Sequence, residues 1–157
     1  MSFFLWRRAK PQMARNYMIA AEHPLAVQGG LAVLEAGGNA MDAAVADAAI
    51  SWVVMPDMCG PGGDLFIIGY QDGKLWALNG CGEAPGKAEA NFFASLGLRQ
   101  MPLDGLLSAS VPGAVAGLVA AHARYGSLPW EKLLEKAIFF AERGFPVSHR
   151  LYNSIIN

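Results

Sequence analysis

The sequence predicts an α+β fold, because helical and strand-like patterns alternate along one chain of 157 residues. Several stretches with apolar residues at helical spacing lie between residues that cap helices, and one Asp-Gly pair separates two apolar runs typical of a hairpin. Hydrophobic residues make up 54% of the chain and charged residues 16%, against about 25% charged in an average soluble domain. This composition excludes a disordered protein, and the length favours one compact domain.

Charge and hydropathy exclude several function classes. The net charge of -1 leaves no basic surface for nucleic acid, and no uninterrupted apolar run is long enough to cross a membrane. The apolar patch Phe3–Trp6 precedes the first basic residues, which is the reverse of a secretory signal. We therefore expect a cytoplasmic protein in which residues 1–15 are an N-terminal extension outside the ordered fold and residues 16–157 form the folded segment.

The first third of the chain predicts a strand and two helices. Residues 16–22 form a short apolar run typical of a strand. A helix is predicted over residues 25–36, where Gly37 ends it. Asn39 is a favourable cap for a second, alanine-rich helix over residues 40–53.

The remaining chain predicts a hairpin and then mainly helices. Two apolar runs at residues 64–70 and 74–80 flank Asp72-Gly73, which indicates the hairpin. The later expected elements are a strand at residues 106–111 and helices at residues 113–125, between Ser127 and Gly144, and at residues 149–157.

Two patterns raise the question of anion or metal binding. The glycine-rich loop at residues 60–64 resembles a phosphate cradle, but such a cradle needs a strand before it and a helix after it. Here a helix precedes and a strand follows, so a tight structural turn is the better interpretation. His23, His122 and His149 do not have the spacing of metal ligands. We therefore expect no metal and no cofactor.

Cys81 and Asp42 are the remaining candidates for chemistry. Cys81 lies in a glycine-rich turn after a predicted strand, which fits either an exposed thiol nucleophile or a small turn residue. No histidine is implied as its base, so the turn residue is favoured. Asn39 and Asp42 fit a helix cap and an acidic residue in the first turn, which are structural roles. Spacing alone thus defines no self-sufficient active site.

A series of ordered motifs over about residues 17–150 resembles the beginning of the γ-glutamyltranspeptidase family. The matching segments are 19–26 (IAAEHPLA), 37–44 (GGNAMDAA), 54–56 (VMP), 60–66 (GPGGDLF), 110–118 (SVPGAVAGL), 125–130 (YGSLPW) and 141–148 (AERGFPVS). The resemblance implies the N-terminal part of a large subunit. It also implies part of an N-terminal-nucleophile hydrolase fold, which has four αββα layers in the complete protein.

The resemblance further implies an enzyme that cuts its own precursor and then uses the new N-terminal threonine of its small subunit as nucleophile and base. The sequence contains no threonine, so this chain supplies no catalytic residue of that kind. The expected partner is a small-subunit chain, or a further C-terminal portion, that carries the threonine. We expect this chain to be inactive alone.

One departure concerns the substrate. Family members usually place an arginine in the turn before an Ala-Pro pair, where it binds the substrate's α-carboxylate. Here that turn contains Cys81 and Glu83, and one of the two occupies the position of the arginine. Both are therefore the candidate substrate-binding residues. Neither binds a carboxylate as arginine does, and the sequence looks closer to the transpeptidase-like and acylase-like branch.

Three hypotheses follow for function. The first is a large-subunit segment of an amide hydrolase or acyltransferase that acts on glutathione or related γ-glutamyl or acyl amides. The second is a non-catalytic binding or structural module derived from that family. The third is an unrelated thiol enzyme using Cys81. Residues 64–80 would leave apolar faces open without the small subunit, so we also expect self-association.

Overall fold

The computed structural model describes residues 12–103 and 105–156, which form helices and one small sheet. Residues 1–11 of the expected extension lie outside the described part, and residues 12–15 are exposed without helix or strand. The elements are α1 (Pro24–Glu35), α2 (Ala40–Val54), β1 (Phe66–Gln71), β2 (Lys74–Asn79), α3 (Ala90–Ser95), a 3₁₀ turn (Leu106–Ser108), α4 (Ala114–Tyr125), α5 (Trp130–Arg143) and α6 (His149–Ile156). The mixed α and β content predicted from the sequence is confirmed.

Helix α2 is the centre of the core. It packs against α1, α4 and α5, and its side chains Val45, Ile50 and Val54 are completely buried. Alanine at many of its other positions lets the neighbouring helices approach closely. Gly29 of α1 lies against the end of the Ile50 side chain, which would have to move if a Cβ atom were added there.

Strands β1 and β2 form the predicted antiparallel hairpin. Asp72 and Gly73 both have positive φ angles, 52° and 76°, as in a two-residue hairpin turn whose twist matches that of the strands. The inner face of the hairpin packs on α4, where Trp76 stacks on Tyr125 with ring centroids 4.0 Å apart. Gly69 leaves room for the Trp76 ring. The hairpin is thereby fixed to the helical core by one face.

The outer face of the hairpin is apolar and open. Strand register places Phe66, Ile68, Tyr70 and Leu75 on this face. Their exposed fractions are 71%, 79%, 74% and 75%. Such a continuous apolar surface is unusual on a soluble monomer and marks a surface that another element can cover.

Two predicted strands are wrong. Residues 16–22 are extended or bent but form no strand, since the sheet in the described part of the chain holds only β1 and β2 and offers them no ladder. Residues 106–108 form the 3₁₀ turn instead of a strand, because both the backbone N–H and the hydroxyl of Ser108 donate to the carbonyl of Gly105. Helix α3 was not predicted.

The long apolar stretches of the sequence belong to the core and to the hairpin. Across residues 12–103 and 105–156, no helix has both the length and the apolarity needed to span a membrane.

Candidate functional site

The turn at residues 81–83, called here the 81–83 turn, follows β2 directly. The backbone N–H of Cys81 donates to Oδ1 of Asn79 at 2.9 Å. The backbone N–H of Gly82 donates to Oδ1 of Asp64 at 3.0 Å, and the hydroxyl of Ser110 donates to the same oxygen at 3.4 Å. Asp64 thus joins the glycine-rich loop, the 81–83 turn and the segment before α4.

Close backbone packing fixes this turn against the start of α4. A Cβ atom on Gly82 would lie 1.3 Å from the carbonyl oxygen of Val111, and one on Gly113 would lie 2.3 Å from the carbonyl oxygen of Gly80. The N–H of Val111 donates to the carbonyl of Glu83 at 3.1 Å. The turn is therefore a rigid platform on which the side chains at positions 81 and 83 are displayed.

The side chains of Cys81 and Glu83 are both exposed on this platform. Slight desolvation of the thiol and the negative charge of Asp64 raise the pKa of Cys81 above its ordinary value. A raised pKa lowers the thiolate fraction, which is the opposite of what a cysteine nucleophile needs. An exposed thiol with a raised pKa fits a turn residue better than the nucleophile of a thiol enzyme.

The glycine-rich loop at residues 60–64 has a structural role. It lies between α2 and β1, the reverse of the order in a phosphate cradle. The carbonyl of Gly63 accepts the N–H groups of Gly113 and Ala114 at 3.2 and 2.9 Å. The loop therefore presents a hydrogen-bond acceptor to the N-terminus of α4. The backbone N–H groups there, which could otherwise bind an anion, already donate to this carbonyl.

A second polar cluster lies at the start of α2, around the completely buried carboxylate of Asp42. Its oxygens accept the Ser127 hydroxyl at 2.5 Å, the Ser127 N–H at 2.9 Å and the Asn39 N–H at 2.9 Å. The side chain of Asn39 accepts the N–H of Met41 and of Asp42, and it donates to the carbonyl of Tyr125 at 2.7 Å. The predicted cap is therefore a complete capping box that also ties α2 to the loop between α4 and α5.

His122 also contacts this cluster. Its Nε2 lies 3.6 Å from Oδ1 of Asp42 and 3.0 Å from the carbonyl oxygen of Leu128. Ser127 contacts the carboxylate and not the imidazole, so the three side chains do not form a nucleophile–base–acid relay. The arrangement is a buried structural network.

Burial alone would raise the pKa of Asp42. The hydrogen bonds from the Ser127 hydroxyl and from the backbone N–H groups of Asn39, Ser127 and Leu128 outweigh it and hold the pKa below the ordinary value of 3.8. Asp42 is consequently an ionised, fully partnered carboxylate inside the protein.

Ser127 does not cap α5. Its place directly before the helix predicted between Ser127 and Gly144 is typical of a cap, but α5 begins after Pro129 without a side-chain cap, and Ser127 binds Asp42 instead. The two residues lie 85 positions apart, so no local pattern links them. The local sequence signal at this site is Asp42 itself, an acidic residue in the first turn of α2 that follows the Asn39 cap.

The histidines do not converge on a metal site. His23 begins α1, where its Nδ1 accepts the N–H of Leu25 at 3.2 Å. His149 lies near the side chain of Asn153 on α6. In the described part of the chain, no three His, Cys, Asp or Glu side chains are grouped so as to hold a metal ion.

Comparison with known proteins identifies the family to which this fold and the 81–83 turn belong. Residues 26–157 match the sequence model of the gamma-glutamyltranspeptidase family. The chain belongs to this family, and the resemblance seen in its motifs is confirmed.

Individual relatives include both acylases and glutathione hydrolases. The acylase ACY 1 proenzyme of Pseudomonas sp. strain V22 is 40% identical over 156 residues, covering 93% of this chain. The glutathione hydrolase proenzyme of Pseudomonas aeruginosa is 40% identical over 123 residues, covering 76% of this chain. This chain spans 28% and 22% of the lengths of these two relatives, so it corresponds to less than a third of either.

Solved structures agree on the fold. The gamma-glutamyltranspeptidase of Helicobacter pylori superimposes with a TM-score of 0.85 at 36% identity, covering 93% of this chain and 43% of that one. A cephalosporin acylase from Bacillus halodurans gives a TM-score of 0.80 at 36% identity, covering 93% of this chain and 29% of that one. The helices and hairpin described above therefore correspond to part of the larger fold of these two proteins.

Proposed function

We propose that this chain is the N-terminal segment of the large subunit of a γ-glutamyltranspeptidase-like amide hydrolase or acyltransferase. The family match over residues 26–157 carries this proposal. In the complete protein, this segment and the rest of the fold build four αββα layers, and a small-subunit chain or a further portion of the protein supplies a threonine nucleophile. The reaction is transfer of an acyl group from an amide, by way of an acyl-enzyme, to water or an amine.

The 81–83 turn is the part of this segment that contacts substrate. Asp64 and the close packing on Gly113 hold it rigidly, as binding sites require. Cys81 or Glu83 stands where the family resemblance places the carboxylate-binding arginine. An exposed carboxylate at Glu83, with Asp64 nearby, repels the α-carboxylate of a γ-glutamyl group. The proposed activity is therefore closer to that of an acylase than to that of a glutathione hydrolase.

The threonine nucleophile of the proposed reaction is not in this chain, because its sequence contains no threonine. We expect the purified chain to release neither glutamate from glutathione nor the free acid from simple acyl amides. Co-expression with a small-subunit chain, or a further portion of the protein, that carries the threonine should restore hydrolysis of at least one of these substrates. Hydrolysis by the chain alone, at a rate that follows its concentration through successive purification steps, would refute the proposal.

Arginine substitutions in the same complex test the role of the turn. We expect either Cys81→Arg or Glu83→Arg to increase glutathione hydrolysis about tenfold or more, since a guanidinium binds a carboxylate through two hydrogen bonds. Glu89→Arg is the matched control for Glu83→Arg, because it makes the same change of charge at an exposed position outside the turn. An equal increase in the control would show that net charge, and not the turn, is responsible.

The alternative is a non-catalytic, oligomeric binding or structural module. The open outer face of the hairpin favours it, since a second copy can cover that face. A stop codon followed by unrelated coding sequence, together with a stable oligomer, would support this alternative over the large-subunit segment. A cytoplasmic location stays a prediction from the sequence.

A further inference from the structure

A cavity of about 420 Å³ lies between residues 16–20 and the helices α1 and α2. Its walls are largely apolar and include Leu34 of α1, while Asn16 and Tyr17 contribute uncharged polar groups. Among the described residues that line it, Asp47 of α2 is the only one with a charged side chain. The cavity shares no lining residue with the 81–83 turn, so it is a separate feature of the molecule.

The carboxylate of Asp47 lacks a partner. Its Oδ1 atom is buried and accepts no hydrogen bond from any described residue. Burial raises the pKa of Asp47, and no hydrogen bond or ion pair within the described part of the chain offsets this effect. Buried charges in proteins are normally paired, because taking an unpaired charge out of water is costly. The missing partner of Asp47 therefore lies outside the described residues.

The neighbouring carboxylates differ from Asp47 in this respect. Burial, followed by the charges of Asp57, Asp47 and Glu22, raises the pKa of the Cys59 thiol, so all three carboxylates lie in its vicinity. Arg150 forms ion pairs with Glu22 at 2.9 Å and with Asp57 at 3.4 Å. Asp47 is thus the unpaired member of the three, and the local charge at the cavity attracts a cation.

The lining of the cavity fits lysine better than arginine. A guanidinium has five N–H donors, and a largely apolar cavity with a single carboxylate would leave most of them without acceptors. The lysine ammonium is a compact charge at the end of four methylene groups. Those methylenes can lie against the apolar walls while the ammonium reaches Asp47.

The source of the lysine follows from how much of the fold this chain contains. The chain spans 28% and 22% of the lengths of its acylase and glutathione hydrolase relatives, so most of a protein of that size lies outside it. We propose that the cavity receives a lysine side chain from the remaining portion of the protein, which forms an ion pair with Asp47. This inference rests on the proposed function and adds a contact that fixes this segment to the rest of the fold.

n-Butylammonium is a suitable probe, because it has the same atoms as the lysine side chain beyond Cα. We expect the full 157-residue chain to bind it saturably in the millimolar range, about tenfold more tightly than 1-butanol, which has the same shape without the charge. In NMR titrations, the largest shift changes should occur at Ala40, Ala44 and Asp47, which line the cavity from α2.

Two substitutions test the site in different ways. Asp47→Asn should weaken n-butylammonium binding about tenfold and leave 1-butanol binding unchanged, whereas Asp72→Asn, at an exposed position outside the cavity, should change neither. Ala44→Leu should weaken binding of both ligands, because Ala44 is an exposed residue whose longer replacement fills the cavity. If either variant fails to fold, the other still decides the outcome.

Stability measurements separate this role from a purely structural one. In the isolated chain near neutral pH, Asp47→Asn should not lower the urea midpoint, because it removes a charge that has no partner. In the complete protein the same substitution should lower the midpoint, since it leaves the lysine unpaired, and n-butylammonium should no longer bind to the wild type. A lowered midpoint in the isolated chain would mean that the carboxylate has its partner within this chain, which would overturn the inference.

Other results would also overturn it. These are equal affinity for n-butylammonium and 1-butanol, and n-butylammonium binding that persists in the complete protein, which would assign the cavity to a free amine. Removal of residues 1–11, which include Arg7, Arg8 and Lys10, should leave the affinity unchanged. Tighter binding after that removal would assign the cavity to this chain's own basic residues. None of these measurements depends on amide hydrolysis, so the proposed function and the lysine site can fail independently.

Discussion

Asp42 shows how a single residue can look catalytic and serve stability. It lies near a histidine and a serine, but its carboxylate accepts the hydroxyl and N–H of Ser127, in the loop that precedes α5, and the N–H of Asn39 at the start of α2. Replacing this carboxylate leaves buried N–H and O–H donors without a good acceptor, which costs more than the net value of any single hydrogen bond.

The substitution Asp42→Asn should lower the free energy of unfolding by about 3 kcal/mol near neutral pH, because the amide offers one acceptor oxygen and brings two donors of its own. Urea unfolding followed by circular dichroism measures the effect. Asp72→Asn is the matched control, since Asn tolerates the positive φ of 52° at that exposed turn position. A loss of the same size in the control would contradict the assignment.

The pH dependence of stability gives an independent test of Asp42. Its pKa in the folded protein lies below the ordinary value of 3.8, so its stabilising contribution is complete above that value and is lost as the pH falls through the folded-state pKa. The free energy of unfolding of the wild-type chain should therefore fall to that of Asp42→Asn only in strong acid. A stability difference between the two that stays constant down to about pH 2 would contradict this assignment.

At the scale of elements, the local signals in the sequence were sufficient where a cap or turn residue acts on its own neighbours. Asn39 began α2, Asp72-Gly73 made the hairpin turn, and Gly144, with a φ of 81°, ended α5. Local signals failed for residues 16–22, since an extended segment becomes a strand only when another strand pairs with it.

The candidate site shows the same division. The position of the 81–83 turn after a strand was predictable from the sequence. Its attachment to Asp64, 18 positions before Gly82, and to the start of α4 was not, because only the folded chain brings these segments together. Helix α3 was not predictable either, because it carries no side-chain cap that its sequence would reveal. The substrate-binding roles of Cys81 and Glu83 stay predictions.

The contact between α4 and the hairpin depends on glycine at position 113. We expect Gly113→Ala to destabilise the fold by about 2 kcal/mol or more, because the added Cβ would lie 2.3 Å from the backbone oxygen of Gly80 and 2.7 Å from the backbone nitrogen of Gly82. Gly86→Ala is the control, since a Cβ there meets no atom within 4 Å. Thermal unfolding and NMR shifts of the 81–83 turn measure the effect. Equal behaviour of the two variants would show that the packing is not tight.

At the scale of the whole molecule, the proposed larger fold accounts for the high apolar content and low charge, since it would cover apolar faces of this chain. The chain corresponds to less than a third of its acylase and glutathione hydrolase relatives, and 54% of its residues are hydrophobic. Part of this apolar content is the alanine of the core helices. Another part is the outer face of the hairpin, which nothing in the described chain covers.

That outer face should make the isolated chain self-associate. A second copy can cover Ile68 and its neighbours and remove their apolar surface from water, at a gain of about 25 cal/mol per Å². We expect light scattering coupled to size exclusion to show an oligomer whose fraction rises with concentration. Ile68→Lys should shift the chain toward the monomer, since a charge on the open face opposes its burial. Ile138→Lys on α5, where the native side chain is 50% exposed, should leave the oligomer intact. A chain that is monomeric at all concentrations would contradict self-association. Equal dissociation by both variants would show that the outer face of the hairpin is not the surface through which the copies associate.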